Sequence, residues 1–124
     1  MKNKIILISG DPNSINSEII YKSWKKLNSQ TKKKIYLITN LKLFQNQLKK
    51  LKYNLSFLKV NNIDENLNSK RLKILDLNLN FKNPFRVKPK SSSSFVLRSL
   101  NYGHNLALRK DVIGIINCPI NKNL

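Results

Sequence analysis

Ile5-Ile6-Leu7-Ile8-Ser9-Gly10-Asp11-Pro12 is the stretch on which the reading of this chain turns. A short continuous apolar run ended by Gly10 and Pro12 is the pattern of a strand buried on both faces in a parallel sheet. The period then changes. Ile19, Ile20, Trp24 and Leu27 recur at helical spacing across Ser17 to Leu27, with Asp11, Asn13 or Ser14 available to cap the first turn. Strand, tight loop and helix together make the opening unit of an open α/β sheet.

Working outward, Ile35-Tyr36-Leu37-Ile38 repeats the buried-strand pattern. Leu41, Phe44, Leu48 and Leu51 then mark one face of a second amphipathic helix. A further strand is expected between Asn54 and Val60, followed by a polar connection through Ser69. Leu75, Leu77, Leu79 and Phe81 alternate with polar residues, which predicts a strand with one wet face at a sheet edge and hence a mixed sheet. Pro84, Pro89 and the run Ser91 to Ser94 read as a loop ending in helix-capping serines. The helix after it runs to about Arg109, with Val96, Leu100, Gly103 and Leu106 or Ala107 facing inward. Gly103 there allows close packing at a cost of about 1 kcal/mol in helix propensity. Val112 to Ile116 is one more buried strand, apparently central, closed by Pro119. The order predicts a three-layer αβα domain over residues 1–124 with a largely parallel, mixed sheet. Because the chain stops where such a sheet turns into its next helix, the domain is expected to be incomplete.

The formal charge of +18 would suit a polyanionic partner. Yet every basic residue other than Arg71, Arg86, Arg98 and Arg109 is Lys, and the chain is also rich in Asn and Ile, all residues with A/T-rich codons. The Lys clusters lack interleaved aromatics for stacking bases, so nucleic acid is not the expected partner. Cys118 is the only cysteine, which excludes an internal disulfide and fits a reducing compartment, with the cytoplasm the expected location. No apolar run approaches the roughly 20 residues that span a bilayer, so no membrane association is expected.

Two segments fall where an open α/β sheet binds ligands, past the carboxyl ends of buried strands. The first is Gly10 to Ile19, which lacks both the phosphate-loop spacing and the Gly-x-Gly-x-x-Gly dinucleotide fingerprint. By local pattern Asp11 is a helix cap, and Glu18 is a first-turn acid favoured by the helix dipole. The second is Asn117-Cys118-Pro119-Ile120-Asn121-Lys122, where Lys122 could hold a phosphate or carboxylate and Asn121 could hydrogen-bond it. Cys118 reads as a small buried side chain and His104 as a surface or satisfied structural residue, and a single His with scattered carboxylates makes no metal site.

The two segments together resemble the amino-terminal part of the 4-hydroxythreonine-4-phosphate dehydrogenases. That family opens with a strand and a Gly-Asp-Pro-Ala-Gly-Ile-Gly-Pro-Glu-Ile type motif, matched here at Gly10, Asp11, Pro12, Ile15, Glu18 and Ile19. Asn13, Ser14, Asn16 and Ser17 depart from it, and Ser14 and Asn16 replace glycines that tolerate positive φ more readily. Lys88-Pro89-Lys90-Ser91 and then Pro119-Ile120-Asn121-Lys122 match later family segments in order. The resemblance implies a fold similar to isocitrate and isopropylmalate dehydrogenases. It also implies a homodimer that oxidises 4-phosphooxy-threonine, a small phosphorylated hydroxy-amino acid, with NAD and a divalent metal in vitamin B6 biosynthesis. Substrate contacts would fall to Asp11, Glu18, Asn121 and Lys122. The family's Gly-His-Thr segment and metal-binding histidines come after the Pro-Ile-Asn-Lys loop, so no metal ligand or catalytic residue is expected in this chain, which alone should be inactive. Two other readings are a small basic α/β protein that binds nucleic acid and a non-catalytic partner of a full-length homologue.

Overall fold

A computed structural model describes residues 3–118 of the chain. The opening apolar run is strand β1 (Lys4–Ile8), which lies inside the sheet, and the change of period becomes helix α1 (Asn16–Lys26). A short helix α2 (Ser29–Lys34), capped by the Asn28 side chain accepting from the Thr31 N–H at 2.8 Å, leads directly into β2 (Ile35–Thr39). Its six residues bury none of their side chains, so no apolar stripe announces it in the sequence. Helix α3 (Leu41–Lys50), strands β3 (Phe57–Val60) and β4 (Leu72–Asp76), helix α4 (Pro89–Ala107) and strand β5 (Val112–Asn117) complete the described chain.

The described strands form one sheet in the order β3-β4-β2-β1-β5, and every pairing among them is parallel. The expected mixed sheet is thus corrected, because the strand predicted from the Leu75 to Phe81 alternation ends at Asp76 and starts at Leu72. Lys73 interrupts that apolar run and hides it, yet Lys73 is 0% exposed. A second correction concerns β5, which is an edge strand among the described residues and leaves Ile113 and Ile116 60% and 53% exposed. A third concerns Ser91 to Ser94, which lie inside α4 instead of capping it. Pro89 starts the helix, where its fixed φ fits and its missing N–H costs nothing.

Helices α1 and α3 cover one face, where Ile20, Trp24, Phe44 and Leu48 pack on Leu37, Leu72 and Ile74. Helix α4 covers the other, with Leu100 and Leu106 against Ile6, Ile8, Tyr36 and Ile38. This is the three-layer arrangement expected. Gly103 sits where the expected stripe put it, and a methyl group built there would lie 2.6 Å from Ile8 Cδ1.

At the amino ends of the strands, charges are taken inside. Lys4, 4% exposed, pairs with Asp64 at 3.0 Å and Asp111 at 2.9 Å, and Arg109 bridges the same carboxylates. The Arg109 guanidinium and then the Lys4 ammonium hold the Asp111 carboxyl down at about 2. Lys73 has no such carboxylate. Its ammonium lies 4.0 Å from the Tyr36 ring centroid and donates to the Lys33 carbonyl at the end of α2 at 2.6 Å. The described residues include no helix long and apolar enough to cross a membrane.

Candidate functional site

The sheet order places β1 beside β2 on one side and beside β5 on the other, with α1 and α4 on opposite faces. Between β1 and β5 the direction of winding changes, and it is outside the carboxyl ends of the strands at such a point that open α/β sheets bind their ligands. Both segments singled out in the sequence begin at this point: Ile8 pairs with Asn117, and the Cys118 N–H donates to the Ile8 carbonyl at 3.0 Å. Asn121 and Lys122 lie outside the described residues, so of the second segment only Asn117 and Cys118 are described. Cys118 is buried, as expected, and burial pushes its thiol up to about 11, which makes it a packing residue and a poor nucleophile. His104 is on the surface.

The loop after β1 is built by its own polar side chains. Gly10 turns the chain with a φ of 77°, and Asp11, buried, accepts from the Asn13 N–H at 2.9 Å through Oδ1. Apart from Gly10, only Lys52 and Asn66 among the described residues have positive φ, so Ser14 and Asn16 replace glycine without strain. All four positions that depart from the family motif carry a bracing hydrogen bond. Asn13 donates through Nδ2 to the Val87 carbonyl at 2.8 Å and to Ser92 Oγ at 3.1 Å, and accepts from the Val87 N–H at 2.7 Å. Ser14 Oγ donates to the Asp11 carbonyl at 2.7 Å, and Asn16 Nδ2 to the Ser9 carbonyl at 2.8 Å. Ser17 Oγ donates to Gln47 Oε1.

Gln47, missed by the sequence reading, is the clasp between loops. Buried on α3, it donates through Nε2 to the Pro12 carbonyl at 2.7 Å and the Pro84 carbonyl at 2.6 Å. It thereby joins the loops that follow β1 and β4. Gln47→Ala is expected to cost about 1.5 kcal/mol, since water entering the vacated space offsets part of the lost bonding. Urea unfolding measures this loss, and hydrogen exchange at Asn13 and Val87 should rise with it. The only hint in the sequence is a polar residue one place from the apolar stripe of α3.

The structure does not bring Asp11 and Glu18 into one constellation. Asp11 closes its own turn, whereas the Glu18 carboxylate accepts from the Tyr53 hydroxyl at 2.7 Å and pairs with Lys22 at 3.4 Å. The Tyr53 hydroxyl, with help from the Lys22 charge, lowers the Glu18 carboxyl from its ordinary value. Tyr53 in turn stacks on Tyr21 at 4.3 Å, so Glu18 ties α1 to the segment after α3. Among the described residues no group of three His, Cys, Asp or Glu side chains could hold a metal ion.

No known family model matches the sequence, and no curated protein sequence does. Solved structures do match the fold. A 4-hydroxythreonine-4-phosphate dehydrogenase from Burkholderia phymatum superposes with a TM-score of 0.84 at 16% identity, over 99% of this chain and 38% of its own. The enzyme of that name from Klebsiella pneumoniae does so with a TM-score of 0.76 at 20% identity, over 98% of this chain and 38% of its own. At such identities the likeness is one of fold. The chain is similar over nearly its whole length to a part of these dehydrogenases, and it spans 38% of the length of each.

Proposed function

We propose that this chain is the opening α/β portion of a 4-hydroxythreonine-4-phosphate dehydrogenase and contributes to the NAD-dependent oxidation and decarboxylation of 4-phosphooxy-threonine in vitamin B6 biosynthesis. The observation that carries this reading is where the motif lies. Gly10, Asp11, Pro12, Ile15, Glu18 and Ile19 occupy the turn and first helix after β1, at the change of winding, in a chain that superposes on such enzymes over 98% of its length. In this reading Asp11 and Gln47 set the shape of the floor of the site, and Asn121 and Lys122 supply polar and cationic contacts to the phosphorylated substrate. The completed enzyme is a homodimer located in the cytoplasm.

The described residues do not fit a metal ion, and none of them makes a dinucleotide site by fingerprint, so neither cofactor is assigned to them. Bound to the complete enzyme, the metal would polarise the substrate oxygen while NAD takes the hydride. The 124-residue chain alone is therefore expected to form no NADH from 4-phosphooxy-threonine with a divalent metal. The test pairs that assay with sequencing of the DNA downstream of the Leu124 codon in all three forward frames. A Gly-His-Thr segment followed by further histidines, with NADH formed once the two parts are joined, supports the reading. Metal-dependent NADH formation by this chain alone, or no such segment downstream, overturns it.

A further inference from the structure

On the face of the sheet that α1 and α3 cover, a groove of about 420 Å³ lies between α1 and β5. Ile5, Leu7, Ile19, Trp24, Leu27 and Ile116 line it, and no charged side chain among the described residues does. In its floor Leu7 lies beside Ile116, which is exposed, and Ile5 beside Gly114. A methyl group built at Gly114 would meet nothing within 4 Å, so another backbone can approach closely there. The strand itself has none of the usual guards of a sheet edge. Val112–Asn117 contains no charge and no proline, whereas β3, at the other edge of the described sheet, carries Lys59.

A helix laid beside α1 packs about 8–10 Å from it, and the groove is the space such a helix would fill. Helical spacing then sets the charge of the rim. Ile19, Ser23 and Leu27 face the groove, and Lys22 and Lys26, both exposed, follow Ile19 and Ser23 by three residues on the solvent side of that row. Glu18 answers only part of that charge, 3.4 Å from Lys22 and held by the Tyr53 hydroxyl. The occupant that fits is an amphipathic helix with an apolar stripe and acidic residues beside it. A second copy of this chain lacks that chemistry: among the described helices only α1 carries an acid, the single Glu18, and a net charge of +18 on each copy repels. Nor does an ordinary continuation of the sheet fill the groove. The crossover from β4 to β5 passes over the opposite face through α4, and a right-handed connection carried outward from β5 would pass over that same face.

We propose that the groove between α1 and β5 docks an acidic amphipathic helix of another protein. The inference rests on the groove alone and stands or falls separately from the dehydrogenase reading. Trp24, the only tryptophan, reports on the groove it lines. The probe is a synthetic helical peptide of about four turns, with leucines along one face and glutamates flanking them, titrated into the 124-residue protein. A saturable change in Trp24 emission is expected, and the same peptide with lysines in place of the glutamates should bind about tenfold more weakly. Ile116→Asp, which puts a charge into the apolar floor, should weaken the acidic peptide about tenfold or more. Lys22→Glu/Lys26→Glu should invert the preference between the two peptides. Leu108→Asp, at an exposed apolar residue that ends α4, should change nothing. Lys22 and Lys26 are exposed, so their variant tests the site even if Ile116→Asp fails to fold. Equal affinity for both peptides, no effect of the Lys22→Glu/Lys26→Glu variant, or a concentration-dependent dimer that closes the groove would overturn the proposal. So would a longer form of the protein that no longer binds the peptide, because its groove would be filled from within.

Discussion

Replacing Lys73 with Met is expected to stabilise the folded chain by about 2 kcal/mol at pH 7, although the wild-type side chain makes contacts that the variant loses. Lys73 is wholly buried, and burial, aided by the nearby Lys4 charge, pushes its ammonium down from 10.5 to about 8. A displacement of that size corresponds to about 3 kcal/mol by which the folded state disfavours the charged form. The Tyr36 ring and the Lys33 carbonyl recover part of it. The sign follows from proton counts. Between about pH 8 and 10.5 the unfolded chain holds a proton at Lys73 that the folded chain has released, so the stability contributed by this residue rises with pH across that window. Below about 8 both states are protonated and the cost is constant. Urea unfolding of wild type and Lys73→Met at pH 7 and pH 10 checks both parts. The difference between the proteins should shrink at the higher pH, and a variant less stable than wild type at pH 7 would contradict the account.

Gly103→Leu is expected to destabilise the chain by about 3 kcal/mol. A Cβ at Gly103 already comes within 2.6 Å of Ile8 Cδ1 and 3.3 Å of Ile8 Cγ1. Ile8 is buried on the interior strand β1 and has Ile38 beside it on the same face, so it has little room to turn away. The full Leu side chain must push α4 off the sheet, and overpacking of this kind costs about 1–3 kcal/mol or more. Gly103→Ala is the informative companion. Its gain of about 1 kcal/mol in helix propensity opposes a one-carbon clash, so it should fall well short of the Leu variant in thermal and urea unfolding.

The layers and most elements of this fold could be read from the sequence because apolar spacing reports burial directly. Ile5 to Ile8, Ile35 to Ile38 and the stripe of α3 gave strands and helices where the structure has them. The misplaced β4 and the unread loop bonding share a cause, which is polar residues used in the interior, whereas α2 was missed because it buries no side chain. Lys73 disguised β4, and the alternation from Leu75 to Phe81 supplied a false strand in its place. For the site, Gly10 to Ile19 was locatable because the motif follows a strand, but its internal bonding was not. Asn13, Ser14, Asn16 and Ser17 looked like losses from a glycine-rich loop, yet each brings a hydrogen bond that holds the loop. Their partners lie up to 79 residues away, as Asn13 and Ser92 do, and no local pattern encodes such a pairing.

The position of β1 also sets the order in which the chain can assemble. β1 lies inside the sheet beside its β5 edge, and one side of β1 is closed by β2, whereas the other waits for β5, with Ile5 pairing to Gly114. On the ribosome, where domains are built from the amino terminus at about 5–20 residues per second, one side of β1 therefore stays open until almost the whole described chain has emerged. Closing a loop of that length is slow, and an unpaired hydrophobic strand in the meantime is a template for wrong partners. Folding of this segment should therefore depend on chaperones during synthesis.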